Sequence, residues 1–185
     1  MSKKDFLKPV DESLADYCSD ESRLSGHADF LAFPENEQQL REILHTAVAE
    51  KTPVTISAGR TGITGGAVPF GGIVCSMEKM NRFLGMGCDA NGEWFLRVQP
   101  GVVLEDIQNA LEKKHLPDMS KTSTQAEKQS LDRFLNTDIR LFYPPDPTEK
   151  TSLIGGTVAC NASGARTFGY GSTRKYIRRL RCVLI

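Results

Sequence analysis

The chain has 185 residues, and its 23 Lys and Arg balance 23 Asp and Glu for a formal net charge of zero. That length makes one large domain or two small subdomains, and neutrality argues against a nucleic-acid or anionic-membrane binder, since both need a basic excess. No apolar run approaches the roughly 18–20 residues of a membrane span, and the start, Met1-Ser-Lys-Lys-Asp-Phe-Leu-Lys, lacks a signal-peptide core, so a cytoplasmic location is expected.

In chain order, residues 36–50 place Leu40, Ile43, Leu44, Ala47 and Val48 on one helical face, with Asn36 as the cap. Lys51-Thr-Pro ends that helix. Val54-Thr-Ile-Ser predicts a short strand entering a glycine-rich window, and Ile73-Val-Cys-Ser a second strand beyond it, a β-α-β order with a helix covering a small sheet. Trp94–Gln99 predicts a third strand, and Val103, Leu104, Ile107 and Leu111 a following helix. Residues 112–139 are largely polar, with Leu131, Phe134 and Leu135 marking a helical face, and are expected to form an exposed insertion partly ordered by a short helix. Tyr143-Pro-Pro-Asp-Pro fixes a stiff, extended backbone. Thr151–Ala162 predicts a cap and a short helix of small residues. Arg178–Ile185 predicts a strand in which the chain stops, so the domain is expected to continue past Ile185.

Cys18, Cys75, Cys88, Cys160 and Cys182 are odd in number and far apart, which fits reduced thiols rather than a disulfide framework. With His27, His45 and His115 equally scattered, no metal site is expected.

Glycine is the unevenly spread residue. Of 16, six lie between Gly59 and Gly72 and five between Gly155 and Gly171. Two such windows about 90 residues apart suggest two loops converging on one ligand. In the first, Ser57-Ala-Gly-Arg-Thr-Gly-Ile-Thr-Gly-Gly-Ala combines a tight turn with the hydroxyls of Thr61 and Thr64 and the Arg60 cation, a set that suits phosphate oxygens. It is neither the G-x-G-x-x-G of a dinucleotide turn nor a P-loop. In the second, Gly155-Gly156 opens a short helix whose unobstructed first-turn N–H groups favour an anion, and Asn161, Ser163 and Gly164 follow at its end.

These segments resemble the FAD-binding domain of the FAD-linked oxidase family, which includes vanillyl-alcohol oxidase, p-cresol methylhydroxylase and the D-lactate and glycolate dehydrogenases. The resemblance rests on Pro53–Pro69, Gly72–Arg82, Val98-Gln-Pro-Gly-Val, Tyr143-Pro-Pro-Asp-Pro-Thr, Ile154–Ala165 and Tyr170–Tyr176, in order over about residues 30–185. It is nearest to the glycolate oxidase subunit and D-2-hydroxyacid dehydrogenase branch.

The resemblance implies an α+β fold of two subdomains, one with a few parallel strands and one with an antiparallel sheet. Residues 1–30 would be an N-terminal extension, 31–100 the first subdomain, and 101–185 an incomplete second one carrying the 112–139 insertion. By the same likeness Gly59, Arg60, Thr61, Gly62, Thr64 and Gly65 wrap the FAD diphosphate, and Pro144 and Asp146 line the flavin end. Ser152, Gly155, Gly156, Ala159, Asn161 and Gly164 complete the cradle.

Arg60 stands where relatives commonly have glycine, so its side chain is expected to point away from the phosphates. The first loop has no His and Cys160 is expected to be a packed thiol within the short helix, so FAD is expected to bind non-covalently. The implied function is oxidation of a 2-hydroxy acid, with hydride passing to the flavin. The substrate groups would come from a further C-terminal domain or a partner subunit, so no catalytic residue is assigned and little turnover is expected from this chain alone. A flavin- or nucleotide-holding module without catalysis, and a structural fragment, are the alternatives.

Overall fold

The structure, a computed structural model, describes residues 7–145 and 149–184. They form two compact units, one of residues 7–80 with 180–184 and the other of residues 81–145 with 149–179. The subdomain boundary expected near residue 100 falls inside the second unit.

The first unit is built on a four-stranded sheet. β1 (Leu7–Pro9), β2 (Phe30–Ala32), β3 (Val54–Ser57) and β4 (Ile73–Ser76) lie in the order β1-β2-β4-β3. β1 runs antiparallel to β2, whereas β2, β4 and β3 are mutually parallel in sequence along the sheet. Helix α1 (Glu37–Glu50) crosses from β2 to β3. The Asn36 side chain caps it by accepting from Gln39 N at 3.0 Å, and Lys51 ends it in a left-handed conformation at φ 54°. Ile43 and Ala47 of α1 meet Ala32, Ile73 and Cys75 of the sheet, with Met77 and Met80 completing this core. Burying each of the Ile and Met side chains in it stabilises the fold by about 1.5–3 kcal/mol. Val48, expected on the buried face, is 55% exposed. Ahead of β4, Gly72 sits at φ 71°, and a Cβ there would overlap the Pro53 carbonyl to which Ile73 N–H donates.

In the second unit, β5 (Phe83–Cys88) and β6 (Trp94–Val98) form an antiparallel pair. Asp89 organises their connection by accepting from Asn91 N and Glu93 N, both at 2.9 Å. Helix α2 (Leu104–Glu112) contributes Leu104, Ile107, Ala110 and Leu111 to a core shared with Phe83, Met86 and Phe134. Phe134 belongs to α3 (Gln125–Leu135), which lies inside the stretch expected to be exposed. Thr124 and Glu127 close a reciprocal capping box at its start. The surface of 112–139 is polar, but Met119, Glu127 and Phe134 are buried, so the insertion is packed onto the sheet rather than solvated.

Two short helices follow, α4 (Ile154–Ala159) and α5 (Thr167–Tyr170), then a 3-10 turn at Thr173–Tyr176. The strand expected at 178–185 does not form over its described residues. A strand exists only within a ladder, and no described strand pairs with this one. Instead Arg178 binds Asp89 within the second unit, and Arg181 reaches Glu37 within the first at 2.6 Å.

Candidate functional site: the two glycine windows

Ser57 ends β3 and Ser76 ends β4, side by side in parallel register. Both are fully buried, and neither hydroxyl has a hydrogen-bond partner. The ends of adjacent parallel strands are where open α/β sheets receive ligands. The first window leaves β3 at this point. Arg60 turns it at φ 57° and Gly65 at φ 75°. Gly62 and Thr64 are exposed, and a Cβ on Gly62 would meet open space. Gly59, Arg60, Thr61, Gly62, Thr64 and Gly65 therefore lie on one continuous loop that leaves the end of β3.

Arg60 does not reach outward as a free cation. Its guanidinium lies 4.2 Å from the centroid of the Tyr17 ring. The Tyr17 hydroxyl donates to Glu78, 3.0 and 3.1 Å from its two carboxylate oxygens, and burial together with that anion raises the phenol above its ordinary range. Asp20 lies against the same loop. Burial disfavours its charge, but the hydroxyl and N–H of Ser22 and the N–H groups of Ala67 and Gly65 outweigh burial and hold it below the usual range. The N–H contacts from Gly65 and Ala67 are loose, since Oδ2 has no partner of normal hydrogen-bond geometry.

The second window occupies the other unit. Pro144 and Ser152 precede α4, with Ser152 buried. Gly155 is not an open donor at the helix start. Its N–H binds Pro100 O at 2.8 Å, and an added Cβ would stand 2.6 Å from Pro100 Cβ. Its bare Cα lets the 100–102 turn close against α4, where Ile154 N also binds Val102 O. Gly156 is half-buried on the next position, and Ala159 is exposed on α4. Cys160 caps α4 and is exposed rather than packed. Asn161 follows at φ 47°, its Oδ1 accepting from Arg174 N at 3.0 Å, and Gly164 N–H is taken by Thr167 Oγ1 at 2.7 Å. Tyr143, beside Pro144, has its hydroxyl pushed up to about 12 by burial, which outweighs the lowering effect of Thr173. Asp146 lies outside the described residues.

Sequence reasoning passed over Ser57, Ser76, Tyr17, Asp20 and Glu78. Ser57 and Ser76 could have been found as the polar ends of two apolar strands. The other three have no local signal, because they act on the loop only through the fold.

The exposed, side-chain-poor loop stands at the ends of two parallel strands, where an α/β module receives a ligand, and its glycine N–H groups and Thr64 hydroxyl suit a phosphate-bearing one. A family profile described as an FAD binding domain matches residues 28–125, more than half of the chain. The chain belongs to this family, and FAD is the cofactor it defines.

Its relatives include the D-lactate dehydrogenase of Anaerostipes hadrus, 34% identical over 94% of this chain and 31% of the relative. Glycolate oxidase subunit GlcD of Bacillus subtilis is 30% identical over 84% of this chain and 28% of its own. The solved structure of 6-hydroxy-D-nicotine oxidase from Arthrobacter nicotinovorans shares the fold, with a TM-score of 0.62 at 17% identity, over 90% of this chain and 30% of that one. The chain thus spans about a third of the length of the curated relatives it matches. Among the described residues no helix is long and apolar enough to cross a membrane.

Proposed function

We propose that this chain is the FAD-binding portion of an oxidoreductase that oxidises a 2-hydroxy acid of the D-lactate or glycolate type. The observation that carries this reading is its 34% identity to a D-lactate dehydrogenase across 94% of the chain. In this role Gly59, Arg60, Thr61, Gly62, Thr64 and Gly65 hold the diphosphate, with backbone N–H groups and hydroxyls as donors and Arg60 supporting the turn from behind. In the second unit Pro144, Ser152, Gly155, Gly156, Ala159, Asn161 and Gly164 are the further candidate contacts for the cofactor, and Asp146 is a candidate by the family resemblance alone. There Gly155 and Gly164 act by shape, since their N–H groups are engaged within the unit.

Bound FAD supplies the hydride-accepting isoalloxazine, while the protein orients it and excludes water. Groups that bind the hydroxy acid and take its proton would come from a further domain or a partner subunit. A flavin-holding module without its own catalysis is the second reading, favoured by a span of only 31% of the dehydrogenase.

The test is the colour and chemistry of the purified protein. A yellow protein whose FAD is released by acid supports non-covalent binding; flavin that stays with the polypeptide would point to the exposed Cys160 as an anchor. Dye reduction by D-lactate or glycolate separates enzyme from module. A colourless protein that takes up no added FAD overturns both readings.

A further inference from the structure

Residues 17–24 precede the 28–125 family match, yet they touch the first window repeatedly. Tyr17 lies under the Arg60 guanidinium at 4.2 Å. Glu21 N–H donates to Arg60 O at 3.2 Å. Asp20 faces the N–H groups of Ala67 and Gly65. Leu24 Cδ1 lies 3.0 Å from the place a Cβ on Gly65 would take.

Arg60 has a particular need of such contacts. At φ 57° it occupies the left-handed region that side chains other than glycine visit at a cost. The loop around it consists of small, partly exposed residues with little packing of their own. The cation on the Tyr17 ring offsets that cost, and the ring is fixed by Glu78, two positions beyond Ser76. The turn of the loop is thereby tied to the end of the neighbouring strand.

We propose that residues 17–24 are a clamp that holds the 59–67 loop in its FAD-receiving shape, with Tyr17 acting through Arg60 as a positioning residue for cofactor binding. This rests on the FAD assignment of that loop above. Tyr17 has no need to touch FAD. It acts by ordering the loop before the cofactor arrives, so that less freedom is lost on binding.

The experiment titrates FAD into the intact apoprotein, read by flavin fluorescence, alongside amide exchange of residues 59–67 without FAD. Tyr17→Ala is expected to weaken binding about tenfold and to speed exchange in the loop. Tyr17→Phe, which keeps the ring, retains most of the affinity. In an Arg60→Gly background glycine adopts positive φ freely, and Tyr17→Ala then changes affinity by less than about twofold. Equal losses in both backgrounds would make Tyr17 an ordinary packing residue and overturn the clamp, as would unchanged affinity in Tyr17→Ala. If Tyr17→Ala does not fold, Tyr17→Leu is read by the same two criteria. A wild-type protein that leaves FAD fluorescence unchanged overturns the FAD assignment and the clamp together.

Discussion

Arg97 on β6 grips Glu127 on α3 through two hydrogen bonds, Nε to Oε1 at 3.0 Å and Nη2 to Oε2 at 2.9 Å. Glu127 also accepts from Thr124 N at 2.7 Å, so one buried carboxylate serves both the helix cap and the sheet. The Arg97 guanidinium holds this carboxyl below its usual 4.5, against the opposing effect of burial. A carboxyl depressed in the folded state adds stability above its unfolded value and loses it as pH falls through the folded one. The second unit is therefore expected to weaken below about pH 4.5. Glu127→Gln should cost about 1–2 kcal/mol at pH 7, because Arg97 keeps partial access to water. It should also flatten the acid slope, as guanidinium melts at several pH values would record.

Phe134 is fully buried in the core of the second unit. Phe134→Ala is expected to destabilise by about 3–5 kcal/mol, as large-to-small core changes do. A shift below about 0.5 kcal/mol in the denaturation midpoint would return the insertion to the solvated state first expected of it.

Gly155→Ala places a methyl 2.6 Å from Pro100 Cβ, and neither partner is a flexible side-chain tip. The overlap should cost about 1–3 kcal/mol. It should also separate α4 from the 100–102 turn, seen as faster amide exchange at Ile154 and Gly155.

Ser57→Ala and Ser76→Ala separate stability from cofactor binding. Removing a buried hydroxyl that has no partner should leave the apoprotein equally stable or raise its stability by about 1 kcal/mol. Both hydroxyls are closed off from solvent, so FAD affinity should change by less than about twofold in the same variants. Thermal melts with and without FAD give both answers.

The thiols should react in order of exposure. Cys160 and Cys182 are exposed, whereas Cys75 is buried and its thiol is pushed up to about 12 by that burial. At pH 8 a maleimide should label Cys160 and Cys182 within minutes and leave Cys75 unmodified until the protein is unfolded. Peptide mass spectrometry reads the order.

Elements whose signal is local were legible in the sequence. The Asn36 cap and apolar stripe mark α1, and the apolar runs mark β3 and β4. The β5 strand was not legible, because Phe-Leu-Gly-Met-Gly-Cys breaks strand propensity twice. The structure explains both glycines: a Cβ at Gly85 would meet Glu127 and Arg97, and one at Gly87 would run into the Phe95 ring. Those neighbours come from across the sheet and from α3, beyond the reach of periodicity. β1 and β2 have only three residues each, too few to pattern. In the candidate site the glycine windows announced themselves by composition. The residues supporting Arg60 did not, since Tyr17 and Glu78 stand 61 positions apart and meet only through folding.

The placement of Pro9 in the first sheet bears on self-association. β1 is one of its outer strands, and Val10 N–H turns inward to Asp29 O, so the position without an amide proton, Pro9, lies on the outer side. An incoming strand from another molecule would find no donor there. That rim is thus short and blunted against lengthening into an intermolecular ribbon, whereas the opposite outer strand, β3, leaves Ile56 half exposed.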